Sequence, residues 1–198
     1  MTLRSKDNED GSSLLTRRRL TTLTAISAAA NYFLVAHSRS LKNTVATLNR
    51  ERRLNEGDLI EAIEIVDVSG SIRKVHFEGA ERPSILYVFS PGCRWSKRNQ
   101  TNMNFLAMAK SSSYQFLGLS ITSEGLGVFV DAHNPPYEIG IGPLGSGGSA
   151  LSRGGVPQTA AIGTDGKVVR YWMGAYTPGI RHDVESFFGV ALASVESD

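Results

Sequence analysis

The chain has 198 residues, a formal net charge of +2 and 20% charged residues, so it is long enough for one domain of ordinary size with extensions. Its basic residues gather in short N-terminal runs with no aromatic residues interleaved, which gives no footing for nucleic-acid binding. A single cysteine excludes any internal disulfide, so the redox compartment must be read from targeting signals and not from cysteine usage.

Residues 1–19 form a polar tail that ends in the basic cluster Arg17, Arg18 and Arg19. Leu20 to Ala36, LTTLTAISAAANYFLVA, carries no charge. It is short and rich in Thr and Ala for a spanning helix, which needs about 20 mainly apolar residues, yet the arginines before it fit a cytoplasmic N-terminus with the remainder outside. The readings are an uncleaved signal anchor, a secretory signal cleaved near Ser27 to Ala30, or a buried core helix. Thr16 to Leu20 also loosely resembles a twin-arginine export signal. Residues 37–58 are expected to form a linker or stalk helix with Leu41, Val45 and Leu48 on one face, closed by Gly57 and Asp58.

The folded domain is predicted to cover residues 59–192, followed by a tail over 193–198. Ile63 to Val68 and Ile72 to Phe77 read as a hairpin around Ser69-Gly70. Ile85 to Phe89 is a continuous apolar run, hence a buried strand, and Ser90-Pro91-Gly92 stops it before a helix over about Trp95 to Lys110. Cys93 thus stands where a strand passes into a helix. The first helical turn leaves N–H groups unpaired and carries partial positive charge, a setting that favours thiolate over thiol, and Arg94, Lys97 and Arg98 add to it. A lone cysteine is commonly an inert buried side chain, but one that follows Pro-Gly and precedes Arg-Trp-Ser lies in a segment that must reach the surface to turn.

Tyr114 to Ile121 is predicted as another strand and Glu124 to Ala132 as a short helix with Leu126, Phe129 and Val130 inward. Strand, helix, strand in succession imply a parallel pair joined by a right-handed crossover, with Cys93 at the carboxyl end of the first strand. Asn134 to Gly155 is rich in Gly, Pro and Ser and reads as a flexible rim loop. Gly140, Gly142 and Gly145 match the spacing of a dinucleotide fingerprint, but Pro143 interrupts it and no amphipathic helix follows. Pro157 opens a strand that turns at Asp165-Gly166 and returns over Val168 to Met173; Pro178 to Leu192 is a final helix with Val184, Phe187 and Phe188 inward.

Two stretches together, FSPGCRWS and GVPQT with the TDGKVVRYWMG after it, resemble the membrane-tethered thioredoxin-like proteins of the redoxin and thiol:disulfide interchange group. The resemblance spans Leu59 to Leu192 and implies an α/β thioredoxin-like fold, a mixed central sheet flanked by helices. It also implies a redox-active cysteine, Cys93, with Pro157 packed beside it as a cis-proline and Val156 offering backbone pairing to a substrate; Trp95, read as an apolar contact surface or else a first-turn core residue, and Gly92 are the other candidate binding residues. The departure is Ser96, which stands where the family has its resolving cysteine. Ser96 is expected to donate a hydrogen bond to the Cys93 thiolate, but it cannot release a mixed disulfide.

Together with the resemblance, these residues lead us to expect a monothiol oxidoreductase on the outer face of a membrane, acting on a disulfide-containing or thiol protein with an outside thiol such as glutathione. The alternatives are a redox-inactive binding module that holds a client peptide between Trp95 and Val156-Pro157, and a one-cysteine peroxidase with antioxidant activity. Against the last, Ser90 replaces the threonine usual three residues before a peroxidatic cysteine. His37, His76, His133 and His182 are scattered without ligand spacing, so neither metal nor cofactor is expected. Asp131 and Glu124 read as helix-face charges, and the Asn99-Gln100-Thr101 sequon as incidental within a helix.

Overall fold

A computed structural model describes residues 31–32, 34–42, 54–60, 62–67, 69–144, 151 and 155–194. Two compact units divide the chain, Met1–Glu51 and Arg52–Asp198. In the first unit the described residues 31–32 and 34–42 are helical. Most of the expected signal-anchor segment and half of the expected linker helix lie outside the described residues. Among the described residues no helix is long and apolar enough to cross a membrane.

The second unit is built on a seven-stranded sheet. Its strands are β1 (Ile63–Val66), β2 (Ile72–Val75), β3 (Ser84–Phe89), β4 (Gln115–Ser120), β5 (Glu138–Leu144), β6 (Gln158–Ile162) and β7 (Val168–Met173), in the spatial order β2-β1-β5-β4-β3-β6-β7. Strands β3, β4 and β5 are parallel; the other pairings are antiparallel, so the sheet is mixed. Helix α1 (Arg94–Lys110) links β3 to β4, α2 (Leu126–His133) links β4 to β5, and α3 (Pro178–Phe188) follows β7.

The alternation of β3 organises the core. Every residue of β3 is buried, because both faces of this central strand are covered. Ile85, Tyr87 and Phe89 point to one face, where they meet Met103 and Leu106 of α1, Phe129 of α2, and Val184 and Phe188 of α3. Leu86 and Val88 point to the other, against Ile63, Ile65, Leu117, Leu119 and Ile162. Leu54 belongs to that second cluster, and the N–H of Gly57 donates to Val168 O at 2.7 Å. Residues 54–58, assigned to the linker from sequence, are therefore built into the folded unit.

The predicted rim loop is the main correction to the fold. Glu138–Leu144 is a strand lying between β4 and β1. Its glycines hide it, since Gly140 and Gly142 break the apolar alternation that marks a strand. Gly140 is required by close packing: a Cβ there would lie 2.6 Å from Ile65 Cδ1 and 3.2 Å from Ile65 Cβ. The last helix also ends earlier than expected, at Phe188, where Gly189 takes the left-handed conformation at φ 61°.

Candidate functional site

The site forms at the carboxyl end of β3. Cys93 is the N-cap of α1 with an extended backbone, φ −79° and ψ 120°. Its N–H donates to Ser90 O at 3.0 Å, closing the Ser90-Pro91-Gly92 turn, and its own carbonyl accepts the N–H of Lys97 at 3.1 Å, opening the helix. The side chain is half-buried and the thiol is free.

Antiparallel pairing of β6 with β3 sets Gln158 opposite Val88, which brings the residues just before β6 to the same end of the sheet as Cys93. The Val156–Pro157 peptide bond is cis. The Cys93 thiol donates to Val156 O at 3.6 Å, so two segments 63 positions apart meet at the sulfur. Trp95, Val156 and Pro157 line a groove of about 220 Å³ with Gly174, Ala175, Thr177 and Ile180. The guanidinium carbons of Arg94 and Arg98 stand 4.9 and 5.3 Å from the Trp95 ring centroid, so two cations lie over one indole. Gly92 is exposed beside the thiol but lines a different concavity.

Ser96 is fully buried, and its role differs from the expectation. Its hydroxyl oxygen accepts the N–H of Ser90 at 3.3 Å, while the bond recorded from the Cys93 thiol runs to Val156. Ser96 thus ties the helix to the turn that presents the thiol. Below it, the Tyr87 hydroxyl donates to Ser96 O at 3.2 Å, and burial holds the Tyr87 phenol well above its ordinary range. Asn99, the sequon residue, is also fully buried; its Oδ1 accepts the N–H of Tyr176 at 2.9 Å. The Tyr176 hydroxyl shares a hydrogen with Thr159 Oγ1 at 2.9 Å, so α1, β6 and the β7–α3 connection that forms the groove floor are joined by one buried polar network.

On the other side of the cysteine turn lies a larger pocket of about 590 Å³, between Ser90-Pro91-Gly92, Lys97, the β4–α2 connection at Thr122 to Gly125, and the outer face of α2 to His133. Sequence reasoning missed this pocket and the groove residues after β7. The signal for the latter was present: a strand returning antiparallel to β6 must end beside the start of β6, so Gly174 to Thr177 had to border Pro157. Among the described residues no group of three or more His, Cys, Asp and Glu side chains is placed to hold a metal ion.

Solved structures place the fold. The thioredoxin domain of a thiol-disulfide oxidoreductase from Bacteroides vulgatus superposes with a TM-score of 0.55 at 17% identity, covering 68% of this chain and 99% of that one. A secreted disulfide oxidoreductase of Mycobacterium tuberculosis, homologous to Escherichia coli DsbE, gives 0.52 at 14%, covering 64% and 93%. Peroxidoxin BcpB of the same organism gives 0.54 at 16%, covering 68% and 94%. The second unit therefore has a thioredoxin-like α/β fold. No family model matches the chain, and no curated protein matches it in sequence.

Proposed function

We propose that the protein is a monothiol oxidoreductase in which Cys93 exchanges with disulfides of a protein or small molecule, using an outside thiol in place of a resolving cysteine. The observation that carries this reading is the Cys93 thiol 3.6 Å from Val156 O, beside the cis peptide bond and at the rim of an apolar groove. The thiol stands at the N-cap of α1, partly exposed, on the turn that leads into Arg94 and Lys97. The groove suits an extended segment of a disulfide partner: Trp95 and Ile180 supply apolar contact, and the Val156 backbone supplies pairing. The thiolate attacks one sulfur of the bound disulfide, a Cys93 mixed disulfide forms, and the other sulfur leaves as a thiolate. Because Ser96 has no thiol to give, a second thiol must break that bond.

Incubation with a cystine-bridged peptide in the absence of reductant tests the reading. It predicts one peptide adduct per chain, mapped to Cys93 by mass spectrometry and absent from Cys93→Ser. A wild-type protein that binds the peptide without forming an adduct would instead be the redox-inactive module, and peroxide consumption abolished by Cys93→Ser would mark the peroxidase. Arg17 to Arg19 followed by an uncharged stretch support, as part of the same proposal, an anchor that holds the domain on the extracytoplasmic side. Fractionation of expressing cells with external protease checks it: a domain that stays in the soluble cytoplasmic fraction, shielded from protease, would remove the anchor.

A further inference from the structure

The pocket on the far side of Cys93 has the chemistry of a second binding site. Strands β4 and β6 flank β3 on opposite sides, so the turn after β3 has one neighbour on each hand. The groove at Val156-Pro157 lies on the β6 side, while the pocket of about 590 Å³ lies on the β4 side and is bounded by Pro91 and Gly92, the residues immediately before the cysteine. The two concavities share no lining residue. The volume falls within the range of small-molecule sites, about 300–1,000 Å³.

Its lining carries both signs of charge. Lys97, exposed on the first turn of α1, supplies a cation; Glu124 supplies a carboxylate; His133, at the end of α2, supplies an imidazole. Burial, with the nearby Lys97 cation, lowers the His133 pKa below its ordinary value, which favours a neutral hydrogen-bonding ring facing the same space. Between these groups the wall is apolar, formed by Pro91, Val128 and Phe129. A ligand matched to this lining carries an acid and an amine separated by a short chain that crosses the apolar wall beside Gly92.

We propose that this pocket holds a low-molecular-weight peptide thiol of the glutathione class, one of its two carboxylates on Lys97 and His133 and its ammonium on Glu124. The inference rests on the monothiol reading given above and deepens it by naming the second reactant. Displacement at a disulfide sulfur runs in line, the incoming thiolate entering opposite the sulfur that leaves. Where the attack falls on Cys93 Sγ and the substrate sulfur leaves toward the groove on the β6 side, the incoming thiolate enters from the opposite, β4 side. The first small thiolate forms a bond to Cys93 Sγ, and the substrate sulfur departs with the electron pair as a thiolate. A second then attacks the small-molecule sulfur, giving its symmetrical disulfide and free Cys93 thiolate. Over the cycle one substrate disulfide is reduced and two small thiols are oxidised to one disulfide.

Titration of S-methylglutathione into the full chain carrying Cys93→Ser, followed by calorimetry, tests this without depending on the reactivity of the thiol. Saturable one-site binding is expected, weakened at least tenfold by Lys97→Glu and by Val128→Trp. Both substitutions fall on exposed positions, so the fold should tolerate them. No binding, or binding that neither substitution changes, overturns the inference, even if the peptide adduct on Cys93 forms as expected. Binding with this profile in a protein whose wild type forms no adduct would uphold the pocket's ligand and reject the oxidoreductase reading alone.

Discussion

Cys93 was legible in the sequence because a strand-stopping Ser-Pro-Gly must rise to the surface, and Pro157 because a proline can open a strand but not run through its middle. Ser96 was legible as an absence of a thiol, but its actual bond to Ser90 was not, since a hydroxyl has no preference that spacing reveals. Ser96→Cys should restore a two-thiol cycle: a single turnover of peptide disulfide without added thiol, ending with both cysteines oxidised. A thiol count that still falls by one only would show that position 96 cannot reach the sulfur of Cys93. Asn99 was read in the sequence only as part of an incidental sequon, because polar residues within a helix are ordinarily solvated. Its side chain instead meets the buried N–H of Tyr176. Asn99→Ala leaves that donor unpaired and should cost about 1–3 kcal/mol in urea unfolding; an unchanged midpoint would mean that the Tyr176 N–H finds another partner.

Strands with clear alternation or a continuous apolar run, β1 and β3, followed directly from pattern, and so did α1 from its length and β7 from the Asp165-Gly166 turn. β5 did not. Its pairing comes from neighbours far along the chain, with Ser120 opposite Ile141 and Val66 opposite the same residue, and Gly140 lacks a side chain where Ile65 approaches. A local sequence cannot announce a residue omitted to make room for another. Gly140→Ala should therefore destabilise the domain by about 1–3 kcal/mol through overpacking. A variant as stable as the parent in chemical denaturation would refute that account of β5.

The whole domain also depends on pairs that close its last helix onto the sheet. Asp183 of α3 accepts from Arg170 Nη2 at 2.8 Å and from Trp172 Nε1 at 2.6 Å, both on β7. The hydrogen bond from Arg170 and then that from Trp172 lower the Asp183 pKa below the ordinary 3.8. A carboxyl lowered on folding stabilises the native state above its unfolded pKa, and this contribution is lost as pH falls through the folded value. Asp183→Asn should thus be less stable than wild type at neutral pH, the difference shrinking as pH falls below 3.8; a difference that stays constant into strong acid would argue against charge as its source. The pair is partly exposed, so the effect should be small and should weaken with salt. Placing two remote loops around one sulfur is the larger achievement of the fold, and its most direct test is kinetic. Reduction of a cystine-bridged peptide by glutathione should be accelerated by the wild-type protein, with the acceleration abolished in Cys93→Ser. Equal rates with wild type, with Cys93→Ser and with no protein would contradict the account.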